Sequence, residues 1–314
     1  MLIALILVAA IALSVEAEYG VKNLKPRNIV KPVNPRYTAE EWRDILAAQV
    51  AIPEKKSGFV KATKPQPDFA GKVFINDKTD RITNGNSASR GQFPWQAALV
   101  IDSSSFCGGS LISYQYVLTA AHCAGSSYQV TLGSTLANYP ETGALTYTTR
   151  SSVVHSYYDP SRIDNDIALL LLPEGVSFSN YISPVRLPPY SLGDLAGETV
   201  VASGWGKTSD WAGGISSTLQ YVDLRIINNN ECAYTYGDVI TASKICVSTI
   251  GGYSTCNGDS GGPLVHQEYD GRYTLVGIVS FGSTGGCQQE HPVVFTRVST
   301  YLNWIEYNTG IYIN

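Results

Sequence analysis

From residue 82 onward the apolar residues fall into short runs, at 96–101, 116–120, 167–172, 199–203, 273–279 and 293–297, each broken off by Gly, Pro, Asn or Ser. Runs that short, rich in Val, Ile, Leu and Tyr, suit half-buried strands and predict an antiparallel all-β region. One exception closes the chain, where Val298, Tyr301, Leu302 and Ile305 recur at helical spacing and predict a C-terminal helix. There are too few long helical patterns for an α/β fold. Ahead of the strands the pattern changes twice. Residues 2–15 are almost continuously apolar, yet shorter than the roughly 20 residues a membrane-spanning helix needs, and Val15-Glu16-Ala17 offers small residues at the usual cleavage positions. Residues 1–17 therefore read as a secretory signal peptide, and no membrane partner is predicted. Residues 18–81 are rich in Lys, Pro and Asn. Thr38 and Glu41 form a capping box that opens one predicted helix with Trp42, Ile45 and Leu46 on one face, and the rest reads as a linker.

Composition adds three constraints. With 29 Gly, 20 Tyr and only 15% charged residues, a region of roughly 230 residues can cover two small cores with strands and turns. The charge is uneven: residues 18–81 carry 13 Lys and Arg against 8 Asp and Glu, whereas residues 82–314 carry 9 against 17. The acidic balance of the larger region argues against nucleic acid as a partner, and the opposite signs predict attraction between the leader and the domain it precedes. The six cysteines, Cys107, Cys123, Cys232, Cys246, Cys256 and Cys287, fit an oxidising compartment and leave 15 possible pairings open. No close Cys-x-x-Cys pair supports a zinc site.

Candidate chemistry concentrates at Gly258-Asp259-Ser260-Gly261-Gly262-Pro263. A serine between glycines can be exposed on a tight turn whose amides converge on one oxygen, the arrangement an acyl-transfer nucleophile needs. Serine is a weak nucleophile without a base and a group to orient that base. Both occur upstream, in Thr119-Ala120-Ala121-His122-Cys123 and in Asp164-Asn165-Asp166-Ile167-Ala168-Leu169-Leu170. Taken singly, each motif could be a turn, a packed histidine or a strand end. In the order His, Asp, Ser, and with Gly204-Trp205-Gly206 and Ser280-Phe281-Gly282 beside them, residues 82–309 resemble the chymotrypsin family of serine endopeptidases. Subtilisins and α/β-hydrolases run in other orders.

The resemblance implies two antiparallel six-stranded β-barrels with the active site between them. His122 and Asp166 would come from the first barrel and Ser260 from the second. It assigns attack to Ser260, proton transfer to His122 and orientation of the imidazole to Asp166, with the Gly258 and Ser260 amides as the oxyanion hole. It pairs Cys107 with Cys123, Cys232 with Cys246 and Cys256 with Cys287. Thr79-Asp80-Arg81 followed by Ile82-Thr83-Asn84-Gly85 resembles a zymogen activation junction, although Thr83 and Asn84 depart from the usual Val then Gly. The implied organisation is a signal peptide at 1–17, a propeptide at 18–81 and a catalytic domain at 82–314. A trypsin-like activator would cut after Arg81, and the new Ile82 amine would pair with Asp259.

Substrate recognition is assigned by the same resemblance to Ser254 at the pocket base, to Gly282 and Val293 on its walls, and to Ser280, Phe281 and Gly282 as a strand that pairs with extended substrate. Ser254 is neutral, so substrate Lys or Arg would bury an unpaired charge. The expected preference is Leu, Met, Phe or Tyr, with an elastase-like or collagenolytic preference as the alternative. The 280–287 and 292–297 segments most resemble the brachyurin or insect collagenase-like branch, in which Val293 is often an acid. Residues 133–147 hold one acidic residue, Glu141, too few for the calcium site of trypsin-like relatives, so neither a metal nor a cofactor is expected. His155, His266 and His291 read as strand or surface residues. Protein or peptide substrates, possible inhibitors, a monomeric state, secretion to the extracellular space and a digestive role complete the expectation. A catalytically silent binding homologue is the competing class.

Overall fold

The computed structural model describes residues 59–61 and 82–313. The proposed signal peptide, the helix from Thr38 and Arg81 lie outside the described residues. Fifteen strands occur in chain order: β1 (Phe59–Lys61), β2 (Asn86–Ser87), β3 (Gln96–Ile101), β4 (Ser105–Leu111), β5 (Tyr116–Thr119), β6 (Tyr128–Leu132), β7 (Leu145–Thr149), β8 (Ser152–Val154), β9 (Ala168–Leu171), β10 (Thr199–Gly204), β11 (Gln220–Ile227), β12 (Lys244–Ser248), β13 (Pro263–Gln267), β14 (Tyr273–Ser283) and β15 (Val293–Arg297). Among the described residues the α-helices are α1 (Asn229–Tyr236) and α2 (Leu302–Thr309), with three short 3₁₀ turns besides.

The strands form two antiparallel sheets, as the resemblance implied, but the sheets close differently. In the second, β14-β13-β10-β11-β12-β15 runs as a ring because β14 also pairs with β15. The first follows the order β7-β6-β3-β4-β5-β9-β8 with no ladder between its ends, a half-barrel beside the closed ring of the second. The short connection between β7 and β8 takes the ladder's place: the Leu171 amide donates to the Ser151 carbonyl at 2.9 Å, and the Thr149 hydroxyl donates to the Leu171 carbonyl at 2.7 Å.

Strand alternation sets the cores. Gln220, Val222, Leu224 and Ile226 of β11 are buried, whereas the residues between them lie nearer solvent, so one face meets the interior. Leu99, Phe106, Leu118, Val130 and Leu169 fill the first sheet, and Val200, Val222, Ile245, Leu264 and Phe295 fill the second. Each such side chain contributes on the order of 2 kcal/mol by leaving water. A smaller cluster, including Ile163, Cys232, Tyr236, Phe281 and Val294, lies apart from both. At the C-terminus, α2 follows a single 3₁₀ turn and ends at Gly310, whose left-handed φ of 70° lets its amide reach the Glu306 carbonyl. The unforeseen α1 starts where the Asn228 side chain accepts from the Asn230 amide.

Candidate active site

His122 sits on a 3₁₀ turn, Ala121–Cys123, that leaves the end of β5. The Cys107–Cys123 disulfide ties this turn to β4. Asp166 lies just before β9 and is fully buried. Its Oδ1 accepts the His122 backbone amide at 2.9 Å, and its Oδ2 lies 2.7 Å from His122 Nδ1 and accepts the Ser280 hydroxyl at 2.6 Å. Burial pushes the Asp166 pKa up, but the His122 charge and the hydrogen bonds from the His122 ring, the Ser280 hydroxyl and the His122 amide outweigh it, so the net shift is downward. An ionised carboxylate can only accept, so His122 Nδ1 carries the proton. Nε2 is then a free base, and it has no hydrogen-bond partner within the described protein. Ser280 can reach Asp166 because a bulge between Val279 and Phe281 removes it from the β14–β15 pairing.

Ser260 comes from the loop between β12 and β13, on the other sheet. Glycine is required on both sides of it. Gly258 has φ 102°, and a Cβ there would lie 2.6 Å from Ile215; Gly261 has φ 76° and would press into Thr119 and the Gly108 carbonyl. A first-sheet amide, Gly108, donates to the Ser260 carbonyl at 2.7 Å, and the Gly261 amide donates to the Val279 carbonyl at 2.9 Å. Ser260 Oγ is buried without a hydrogen-bond partner, like His122 Nε2. Among the described residues, neither the Gly258 amide nor the Ser260 amide has an acceptor. The arrangement offers a base oriented by a carboxylate, an unengaged hydroxyl and two unengaged amides.

A pocket opens beside this loop, with Ser254, Phe281, Gly282, Cys287, His291 and Val293 in its wall and no carboxylate side chain lining it. Ser254 is fully buried and turns its hydroxyl to the Thr255 carbonyl at 2.7 Å. A Cβ on Gly282 would sit 3.7 Å from Val293, so these two residues set the pocket's width. The Cys256–Cys287 disulfide joins two of its segments. Asp210, unremarked in the sequence, accepts the Cys287 amide at 2.6 Å and the Gln288 amide at 3.3 Å and holds that wall from behind. Asp210, Cys256 and Cys287 lie close enough to suggest metal ligands, but both sulfurs are consumed by the disulfide. The third disulfide is Cys232–Cys246. Glu141 accepts from the Thr135 amide at 2.6 Å and is spent on the protein itself.

Asp259 is fully buried and accepts the amides of Gly206 at 2.7 Å and Cys256 at 2.9 Å. No cation among the described residues pairs with it, and burial raises its pKa to about 7 against the pull of those amides. Ile82 is buried in the core of the second sheet. The next residue, Thr83, donates its hydroxyl to the Ser254 carbonyl at 3.0 Å, and Asn84 donates its side-chain amide to the Gly251 carbonyl at 3.0 Å. The other histidines separate: His155 packs on Tyr301 and Trp304, His266 lies between Glu198 and Glu268, and His291 lines the pocket. His291 is exposed, as expected of a surface residue, at the pocket's rim.

Comparison with known proteins agrees with this geometry. The sequence profile of the Trypsin family matches residues 82–305. Brachyurin of Leptuca pugilator is 43% identical over 232 residues, covering 73% of this chain and 99% of that protein. A chymotrypsin of Phaedon cochleariae is 39% identical over 269 residues, covering 82% and 90%. Among solved structures, HL collagenase superposes with a TM-score of 0.66 at 37% identity, covering 74% of this chain and all of that one. With the oriented imidazole, the glycine-framed serine and the two β-sheets on one side and these matches on the other, the chain belongs to the trypsin family of serine endopeptidases.

Proposed function

We propose that the protein is a secreted zymogen whose activated form cleaves peptide bonds after medium to large apolar residues. Ser260 attacks the carbonyl, His122 Nε2 takes its proton and returns it to the leaving amine, and Asp166 holds the imidazole and offsets its positive form. The amides of Gly258 and Ser260 bind the oxyanion, each worth on the order of 3 kcal/mol in the transition state. The observation that carries the catalytic reading is the pair of unengaged atoms, His122 Nε2 and Ser260 Oγ, each at the end of a fully bonded support.

Specificity follows from a pocket with no carboxylate in its lining. A bound Arg or Lys side chain would lose water without gaining an opposite charge. The comparison of kcat/KM on four peptides that differ only in Phe, Leu, Ala or Arg before the scissile bond tests this. Phe or Leu is expected to lead; Arg in first place overturns the neutral-pocket reading, and Ala above both Phe and Leu assigns the pocket to an elastase-like enzyme. The collagenase among the relatives keeps native collagen as a second substrate to assay.

Activation is proposed to follow a cut after Arg81 by a trypsin-like protease. The freed Ile82 amine would pair with Asp259, whose buried carboxyl has amides but, among the described residues, no cation beside it. The leader supports inhibition as well as spacing, because β1 pairs antiparallel with β14 in the register Phe59↔Ser283, Val60↔Gly282, Lys61↔Phe281. Two of these, Phe281 and Gly282, are β14 residues assigned to extended substrate, so the leader's backbone competes for the same edge. Having no cysteine, the leader could depart once cut. Export of relatives of this kind, the apolar start of the chain and the three disulfides support secretion and an extracellular, digestive setting.

A further inference from the structure

Lys244 is one of the largest fully buried side chains in the protein, and nothing in the proposed chemistry uses it. It belongs to β12 of the second sheet. Its ammonium nevertheless donates to the carbonyl of Ile163, lies 3.3 Å from Asp164 Oδ1, and sits 5.8 Å from the centre of the Phe281 ring. Those partners are the turn that carries Asp166 and the strand assigned to substrate. The turn is under strain: Ile163 has φ 53° and Asn165 has φ 54°, and the left-handed conformation is costly for a β-branched residue. Opposite Lys244 in the ladder stands Thr296 of β15, whose hydroxyl donates to the Asp166 carbonyl at 2.8 Å. Two paired residues of one sheet therefore grip a strained turn of the other.

We propose that Lys244 is a positioning residue of the His122–Asp166 pair, a buried cation that the second sheet extends into the turn bearing Asp166. A buried ion pair adds little net stability compared with apolar packing, so a role in charge and placement accounts better for a lysine here. The surrounding charges fix its sign. Burial lowers the Lys244 pKa, while Asp166 and Asp164 support the ammonium and Arg162 opposes it. Arg162 is itself engaged by Asp164 and Asp238, each at 3.2 Å. The phenols of Tyr158 and Tyr301 near Asp166 have pKa values raised above the usual tyrosine range by burial and stay neutral. If the cation acts on the pair, removing it should make the imidazole easier to protonate and removing its partner anion should do the opposite.

This inference rests on the catalytic reading of His122 and Asp166. The test uses the full chain carrying Lys244→Met, Asp164→Asn or both, followed by kcat/KM against pH after activation and by NMR titration of the His122 ring in the uncut protein. Lys244→Met is expected to raise the acidic-limb pKa by about half a unit or more, and Asp164→Asn to lower it. The double variant is expected to lie near wild type. Loss of a purely structural contact would not produce shifts of opposite sign. Should Lys244→Met fail to fold, Asp164→Asn still decides, because Asp164 is partly solvated and its side chain is replaced by an isostere. Acidic limbs within about 0.1 unit of wild type, or two single variants shifting the same way, overturn the proposal. The ring titration reports the charge whether or not the protein turns over, so a dead enzyme with shifted titrations refutes the catalytic reading alone.

Discussion

The two sheets contribute to the site on different terms. The first is an open path of strands, yet its carboxylate and imidazole are already hydrogen-bonded to each other beside a disulfide, with Ser280 and Thr296 of the second sheet bonded to Asp166 as well. The second closes into a complete ring, but it presents the proposed nucleophile on a loop whose backbone leans on Asp259, a buried acid with no cation beside it among the described residues. Closure of a barrel does not make its loops ready for use. In the proposed mechanism the base is in place before activation, whereas the nucleophile and its oxyanion hole would depend on charge at Asp259.

The sharpest break of this contrast is Ser260→Ala. Peptide cleavage is expected to fall to the residual roughly 10³ to 10⁴ above water that binding and the oxyanion hole sustain. The His122 Nδ1 proton should remain visible by NMR, since every partner of Asp166 is intact. Substantial cleavage by the variant would move the nucleophile elsewhere.

Asp259→Asn tests the conditional half next. In the cut protein it removes one partner of the proposed buried pair, and kcat/KM should fall by about 100-fold or more. In the uncut protein the effect reverses. Asp259 titrates at about 7 in the fold and near 3.9 when unfolded, so the folded state holds the proton more tightly. Stability is then lost as pH rises from about 4 to about 7, by as much as about 4 kcal/mol, and stays lost above that. Melting of the uncut wild type should therefore drop between pH 5 and pH 8 relative to Asp259→Asn. Parallel melting curves would show that the carboxyl is not titrating there.

The smallest expected effect belongs to the leader. A synthetic peptide of residues 55–66 should inhibit the activated enzyme competitively, and replacing Val60 by Pro, which deletes one strand amide, should weaken it by about three- to tenfold. Equal potency of the two peptides would place the leader off the β14 edge.

Much of this was legible in the chain. Runs of apolar residues marked β3, β5, β9, β10 and β15 closely, and the helical spacing from Val298 onward marked α2. β4 escaped because Gly108 and Gly109 dilute its pattern; Gly108 must lack a side chain, since a Cβ would lie 2.9 Å from Gly262. α1 buries little beyond Cys232 and Tyr236, too weak a stripe to see, although Asn228 followed by Glu231 is capping-box spacing that could have revealed it. The order of the motifs pointed to His122, Asp166 and Ser260, whereas Lys244, Thr296 and Asp210 act across long sequence separations that no local pattern records. β1 was hidden for the same reason, because its partner lies at the far end of the protein.

The bonds of Thr83 and Asn84 have a consequence for how maturation is policed. Both residues looked like departures from a familiar junction, yet each side chain grips a fixed carbonyl, of Ser254 and Gly251. The segment after residue 81 is thus indexed to the chain ahead of Ser260, Thr83 at the pocket residue Ser254 and Asn84 at Gly251. A protease that cut one bond too early would leave an extra residue ahead of the buried Ile82, and one that cut a bond too late would remove Ile82 itself. In neither case would an amine arrive at the right depth. On the proposed activation, imprecise digestion would yield intact but silent molecules, and the indexed segment would act as a checkpoint on the fidelity of the cut.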